Sequence, residues 1–110
     1  MDTIAERHME LRIEGRIVEV VARLGRPEPD APHDSWKCQY EVAFGDASRT
    51  TAIYGGDSLQ ALQLAMVTLN GELGHEAKSR GGVLYHLDEP YTSLFEDSGM
   101  QVRPVDRPSQ

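Results

Sequence analysis

The fold is decided by residues 36–65, which read WKCQYEVAFGDASRTTAIYGGDSLQALQLA. Over the first seven of these residues, apolar and polar side chains alternate, and one face of the strand carries Trp36, Cys38, Tyr40, Val42 and Phe44. A period of two is typical of a strand with one buried face. A short turn at 45–47 then leads into a return strand over 48–54. The stretch therefore begins with an antiparallel pair of strands.

An amphipathic helix is predicted after this pair. Gly55 and Gly56 interrupt the strand, and Asp57 followed by Gln60 has the form of a capping box. Apolar residues then recur at the three- and four-residue spacing of one helix face, at Leu59, Leu62, Ala65, Met66, Leu69 and Leu73. The helix is expected to end at 70–71, or one turn later at Gly74.

Residues 9–24, MELRIEGRIVEVVARL, add further strands to the sheet. Apolar side chains occupy odd positions before Gly15 and even positions after it. Such a change of phase requires a turn or a bulge, because a one-residue slip moves side chains to the opposite face. We favour a hairpin of two strands, and one long bulged strand is the alternative. Residues 25–35 contain three prolines and are predicted to form a loop.

The C-terminal quarter is expected to contain a strand over 83–87, after a turn at 81–82. Pro90 is then in a suitable place for the first position of a short helix. The predicted fold is α+β, with an antiparallel four- to five-stranded sheet packed against one long amphipathic helix in the order β-β-β-β-α-β. One domain is expected over residues 1–98, and a flexible tail over 99–110.

Charge and cysteine content limit the function. The chain has 110 residues and a formal net charge of −7. An acidic chain is repelled by nucleic-acid backbones and by anionic membranes, so neither is expected as a partner. The single cysteine cannot form an internal disulfide, and charged residues are spread through the first twenty positions, where no signal peptide is expected. We therefore expect a cytoplasmic protein.

No residue pattern indicates a catalytic, metal or cofactor site. Cys38 lies between two aromatic residues on the apolar face, which favours packing over nucleophilic chemistry. The histidines at positions 8, 33, 75 and 86 lack the spacing of metal ligands. Asp57 at the helix start would compete with a bound phosphate for the backbone N–H groups, which favours capping. We therefore expect a protein that is not an enzyme and holds no cofactor.

The one segment that points to a partner is 88–97, DEPYTSLFED. It contains no lysine or arginine. Its candidate partner-binding residues are Asp88, Glu89, Tyr91, Phe95, Glu96 and Asp97. Together with the acidic 28–34 segment, it is predicted to form an acidic surface with aromatic anchors for a basic protein such as a toxin. The alternative interpretation is a solvated acidic face whose aromatic rings belong to the core.

Two further functions stay open at this point: a small-molecule-binding or catalytic pocket between helix and sheet, and a homo-oligomeric accessory role. The motifs W-x-C-x-Y at 36–40 and G-G-D-S-L-Q-A-L-Q-L-A at 55–65 resemble a bacterial family of unknown function, DUF6968, over about residues 9–87. The resemblance carries no activity over to particular residues. Toxin immunity is expected only by analogy with small acidic bacterial immunity proteins.

Overall fold

A computed structural model describes residues 1–95 of the chain. Its elements, in chain order, are β1 (Thr3–Ile13), β2 (Arg16–Gly25), β3 (Glu28–Asp30), a single 3-10 turn (Ala31–His33), β4 (Ser35–Phe44), β5 (Ala47–Gly55), α1 (Ser58–Ser79), β6 (Val83–His86) and β7 (Glu89–Pro90). The predicted α+β class is confirmed. The short strands β3 and β7 bring the sheet to seven strands. The tail predicted over 99–110 lies outside the described residues.

The N-terminal strands form a hairpin, which was the favoured of the two alternatives. β1 and β2 pair antiparallel, with Ile13 opposite Arg16 across a two-residue turn. Gly15 has a φ of 79°, a left-handed conformation that glycine adopts without steric cost. The apolar side chains therefore move from odd to even positions at the point where the chain reverses direction between β1 and β2.

β4 has strands on both of its edges. β5 pairs with it from Trp36 to Phe44, so β2 and β3 must share the opposite edge. The predicted loop over 25–35 was wrong in part, because β3 continues the line of β2 with a one-residue shift in register. Such a shift is a bulge, and bulges tolerate proline.

α1 covers one face of the sheet, over β4 and β5. The largest of the fully buried side chains between the layers are Leu11, Val20, Cys38, Tyr40 and Leu73. The helix approaches the end of β5 very closely. A Cβ atom at Gly55 would lie 2.5 Å from the backbone nitrogen of Ala61. Glycine at position 55 therefore sets the distance between the helix and the sheet, as well as ending the strand.

The helix is longer than predicted. It passes Gly71 and Gly74 and ends at Ser79. Each glycine costs about 1 kcal/mol in a helix interior, but the continued burial of Leu73 and Ala77 offsets that cost. Termination comes from Gly81, whose φ is 72°. Its N–H donates to the Lys78 carbonyl, and the N–H of the next glycine donates to the Ala77 carbonyl, which is a Schellman motif.

The short helix predicted after Pro90 is not present in residues 90–95. Leu87 and Asp88 form a two-residue turn, and both have positive φ. That turn directs the chain into β7, which pairs with β6. Beyond β7 the chain crosses toward α1, where the Leu94 N–H donates to Oδ1 of Asn70 over 2.7 Å. Residues 89–90 therefore pair with β6 as a strand, although Pro90 is also suited to the first position of a helix.

Substitution by alanine should destabilise the protein much more at one leucine of α1 than at another, because only one of them lies in the helix–sheet interface. Leu73 is 0% exposed and Leu59 is 62% exposed. Leu73→Ala should lower the free energy of unfolding by about 2–5 kcal/mol, because it leaves a cavity in a packed core. Leu59→Ala should change it by less than about 0.5 kcal/mol. Urea denaturation of both variants measures the difference, and equal losses would contradict this account of the core.

Capping of α1 gives a second stability prediction. The Gln60 N–H donates to Oδ1 of Asp57 over 2.7 Å, and the Gly56 N–H donates to Oε1 of Gln60. Asp57→Ala should cost about 0.5–2 kcal/mol, because it removes an acceptor for a helix-terminal donor. Asp57→Asn keeps an acceptor and should cost much less. Thermal melts of the two variants test the cap, and an alanine variant as stable as wild type would refute it.

Candidate partner-binding surface

The face of the sheet opposite α1 carries most of the strand charges. No helix lies on this outer face within residues 1–95. It receives the even-numbered side chains of β1 and the odd-numbered side chains of β2, because paired residues point to the same side. Val21 is nevertheless buried on it, beneath its charged neighbours. Within residues 1–95, the outer face is therefore the side of the sheet that no helix covers.

An ion-pair ladder crosses the middle of the outer face. The Arg23 guanidinium donates to Glu6 over 2.9 Å and to Glu41 over 2.8 Å, and so links three adjacent strands. Hydrogen bonds from His8 and Arg23 lower the pKa of the Glu6 carboxyl. The bonds to Glu41 and Glu6 in turn raise the pKa of Arg23. One guanidinium therefore serves two carboxylates, and all three side chains have a hydrogen-bond partner on the sheet.

A second arginine holds the Leu87–Asp88 turn against β1. Arg12 donates to Glu10 over 2.9 Å and to Asp88 over 2.6 Å. Its guanidinium carbon also lies 3.9 Å from the centre of the Tyr85 ring, a cation–π distance. Hydrogen bonds to Asp88 and Glu10 raise the pKa of Arg12, so the group stays charged. The turn and the hairpin are thereby joined along one side of a groove.

This groove has a volume of about 670 Å³, and it is shallow and open. Its lining residues are His8, Met9, Glu10, Ile17, Glu19, Tyr85, Leu87 and Asp88. Glu10 and Glu19 are directly opposite each other in the β1–β2 pair. Like charges in that position destabilise a sheet. The Glu19 side chain is 74% exposed, and Nδ1 of His8 lies 3.8 Å from its carboxylate, a contact that is an ion pair only when the imidazole is protonated.

The groove also exposes large apolar side chains. Ile17 is 61% exposed and Leu87 is 85% exposed. Leu87 has a φ of 53° at the first position of its turn, where asparagine or glycine is usual. A left-handed conformation costs an ordinary L-residue roughly 1–2 kcal/mol. Neither the turn nor the core therefore accounts for a leucine at this position.

The structure separates the residues that the sequence proposed as one surface. Asp88 lies on the groove, and Glu89 is exposed on β7. Tyr91 packs against the core and lies under the Arg7 guanidinium at 5.9 Å, while Phe95 is 54% exposed. Glu96 and Asp97 lie outside the described residues. Of the four proposed residues that the structure describes, Asp88 is the one that lines the groove.

The acidic 28–34 segment is remote from the groove. β6 pairs with Glu10–Arg12 near one end of β1, whereas β3 lies beyond Gly25, which pairs with Thr3 at the other end. The two acidic segments are therefore separated by most of the length of β1, roughly 20–30 Å at the rise of a strand. In 28–34, Asp30 contacts His33 over 2.7 Å. Residues 88–90 of the C-terminal segment and residues 28–34 therefore do not form a common surface.

Sequence reasoning missed the other groove residues, above all Glu10, Glu19, Ile17, Tyr85 and Leu87. The alternation along β1 already placed Glu10 on the polar face. What it lacked was the register that sets Glu10 opposite Glu19 and brings β6 alongside. A leucine in a two-residue turn was the available signal, but it could be read only once 89–90 was known to be a strand.

A second polar cluster joins α1 to β5 on the inner side. The Tyr40 hydroxyl donates to Glu72 over 2.7 Å, and Arg49 contacts Glu72 at 2.8 Å and Glu76 at 3.4 Å. Desolvation and the bond to Glu72 raise the pKa of Tyr40. The adjoining cavity is about 170 Å³. The cluster balances its own charges and attaches the helix to the edge of the sheet.

The structure places Cys38 in the core. Its thiol is 0% exposed and lies 3.4 Å from the Gly25 carbonyl. Burial raises the pKa of this thiol, which disfavours the reactive thiolate. No group of three metal-binding side chains occurs within residues 1–95. Over the same range, no helix has the length and apolar character needed to cross a membrane.

The family follows from comparison with known proteins. The sequence profile of DUF6968, a domain of unknown function, matches residues 5–95, which is the whole sheet and helix together with the groove. The chain belongs to this family. The resemblance inferred from 36–40 and 55–65 is thus confirmed for DUF6968. No curated protein and no solved structure matches the chain.

The lowered pKa of His86 should make the stability of the protein depend on pH. It is half-buried on the helix-facing side of β6, and desolvation followed by the nearby Arg7 charge lowers its pKa from 6.5. The folded state therefore binds this proton less readily than the unfolded state, so stability present above pH 6.5 should be lost as pH falls through the lowered pKa. Urea melts from pH 8 to 5 should show a shallower loss for His86→Asn. Identical slopes would contradict the assignment.

Proposed function

We propose that this protein is a non-enzymatic protein-binding module whose contact surface is the groove between the β1–β2 hairpin and the Leu87–Asp88 turn. The observation that carries the proposal is Leu87, which is 85% exposed in a left-handed conformation. Strained conformations persist where the surrounding structure serves a function. An exposed leucine kept at such a cost is accounted for by contact with a partner.

The charge around Leu87 indicates what that partner presents. Glu10 and Glu19 face each other across the hairpin, and their repulsion would be relieved by a cation placed between them. Arg12 is already engaged by Glu10 and Asp88. A lysine or arginine of the partner is the group that fits between the two glutamates. The net charge of −7 would steer a basic protein toward this chain before contact.

The apolar residues supply the short-range part of the interaction. Ile17 and Leu87 project into the groove, and Tyr85 is held in place by the Arg12 guanidinium at 3.9 Å. A rigid aromatic ring among exposed aliphatic side chains is the kind of site at which binding energy concentrates. The preferred ligand is therefore a basic residue adjacent to an apolar one, on the surface of another protein.

The rival function is a small-molecule or catalytic site between helix and sheet. Ligand pockets usually measure about 300–1,000 Å³. The described cavity beside α1 is about 170 Å³, and its arginines and glutamates are paired with one another. Nearer the helix start, Ala61 and Ala65 are 0% exposed. These observations favour the outer groove over an internal pocket as the binding site.

Toxin immunity is the concrete form that we propose for this module. Toxins that act on nucleic acid carry basic surfaces, and an acidic groove with apolar contacts is suited to cover one. The support comes from charge and geometry alone, and a toxin gene beside the gene for this protein would strengthen it. Partners without a basic surface are disfavoured by the same charges.

A differential pull-down tests the binding surface. Wild type, Glu19→Lys and the matched control Glu28→Lys are immobilised and exposed to lysate of the source cell. Glu28 is exposed on β3, remote from the groove. Replacing it with lysine changes the net charge by the same amount as Glu19→Lys, but leaves the groove intact. Wild type and Glu28→Lys should retain the same protein at low salt and less of it at high salt. Glu19→Lys should lose at least about tenfold in affinity, or roughly 1.4 kcal/mol.

Leu87→Ala separates the two parts of the interaction. Loss of the leucine should speed dissociation and leave the association rate nearly unchanged, whereas Glu19→Lys should mainly slow association. Surface plasmon resonance with the captured protein measures both rates. In the pull-down, equal retention of the protein by wild type, Glu19→Lys and Glu28→Lys would refute the proposal. In the kinetic experiment, a captured protein whose binding rates change with neither Leu87→Ala nor Glu19→Lys would also refute it.

A further inference from the structure

β5 has one edge that the described residues leave without a neighbour. The strand is nine residues long and pairs with β4 along that length, and within residues 1–95 no strand pairs with its other edge. Natural proteins protect such edges with prolines, lysines or bulges. β5 contains no proline and no lysine, and its register with β4 is continuous. Its sequence, ASRTTAIYG, is rich in residues that favour strands.

The hairpin geometry shows which backbone groups face that edge. Phe44 is opposite Ala47 across a two-residue turn, and Gly45 has a φ of 60°. In such a hairpin the pair next to the turn is hydrogen-bonded, and bonded and non-bonded pairs then alternate. The odd-numbered residues of β5 therefore bond to β4. The N–H and C=O groups directed to the free edge are those of Ser48, Thr50, Ala52 and Tyr54.

Charge distinguishes this edge from the rest of the molecule. Two copies with a net charge of −7 repel each other wherever charged surfaces meet. The one charged residue of β5 is Arg49, which is already paired with Glu72 at 2.8 Å. The other long unpaired stretch of the sheet, residues 3–9 of β1, carries Glu6, Arg7 and His8. Two copies therefore approach each other with least repulsion through β5.

We propose that this protein forms a homodimer in which the β5 strands of two copies pair antiparallel and join the two sheets into one. A two-fold axis at Thr51 places Thr50 opposite Ala52 of the partner subunit, and Ser48 opposite Tyr54 of the partner subunit. This register uses every edge-facing group from 48 to 54, in about eight hydrogen bonds. Identical strands suit the arrangement, because a two-fold contact is self-complementary.

The helices strengthen the same contact. Leu64, Thr68 and Glu72 form one row along α1 at four-residue spacing, and Glu72 contacts Arg49 of β5. The row therefore lies on the side of the helix toward the β5 edge. Leu64 is 42% exposed there. The Thr51 axis lies near the level of Glu72, because Tyr40 is opposite Thr51 and donates to Glu72. A two-fold axis perpendicular to the sheet puts both helices on one face and antiparallel, so Leu64 faces the C-terminal turns of the partner's helix and becomes covered.

Sedimentation and hydrogen exchange of the full chain test the dimer. At about 100 μM the wild type should sediment at twice the mass of one chain, and it should dissociate on dilution. The amides of Thr50 and Ala52 should exchange at least about tenfold more slowly in the dimer than in dilute solution. The amides of Thr51 and Ile53 bond to β4, so they should be protected at both concentrations.

Two variants separate edge pairing from folding. Thr50→Pro removes an edge-facing N–H and should give a monomer, whereas the matched Thr50→Val keeps the N–H and should stay dimeric. Leu64→Lys changes no strand residue and should weaken the dimer at least about tenfold, because a charged group replaces an apolar side chain that the contact covers. Glu19 lies on the outer face, so Glu19→Lys should leave the dimer intact. The dimer test therefore gives the same result whether or not the groove binds a partner.

Three outcomes would overturn the dimer. The first is a wild-type chain that sediments as a monomer throughout the concentration range. The second is slow exchange of the Thr50 and Ala52 amides in that monomer, which would mean that another part of the same chain covers the edge. The third is a dimer that both Thr50→Pro and Leu64→Lys leave unchanged, which would place the contact elsewhere.

Discussion

The packing of α1 against β4 and β5 is the interaction on which the rest of the structure depends. Tyr40 and Leu73 are excluded from solvent between the two layers, and the close contact of Gly55 with Ala61 sets their spacing. Without the helix, a sheet with one apolar face would expose that face to water. Burial alone does not fix the direction of the helix over the sheet. The hydrogen bond from Tyr40 to Glu72 and the ion pair of Glu72 with Arg49 are directional contacts that orient α1 on β4 and β5.

Covering one face of the sheet determines where binding surfaces remain. The helix occupies the inner side of β4 and β5, so within residues 1–95 it leaves the outer face of the sheet and the long edge of β5 uncovered. The two differ in chemistry. The groove on the outer face combines facing carboxylates with exposed aliphatic side chains, whereas the β5 edge presents backbone groups and little charge. They suit a basic protein and a second copy, respectively.

Local pattern predicted the elements that carry a strong periodicity. The strand at 36–44, the cap at Asp57 and the change of phase at Gly15 all followed from side-chain spacing or residue type. The errors occurred where tertiary contacts outweighed local preference. Burial of Leu73 and Ala77 carried the helix past two glycines, and pairing with β6 made Pro90 part of a strand. Neither contact is visible in a window of the sequence.

The sequence by itself determined the α+β class, the β4–β5 hairpin, the helix start and the acidic charge. Each of these depends on the period or chemistry of neighbouring residues, and such information is local. Only the tertiary structure decided that Glu10 faces Glu19, that Tyr91 belongs to the core and that 28–34 is remote from Asp88. Those facts depend on strand register and strand order, which bring together residues far apart in the chain and follow from how the whole core packs.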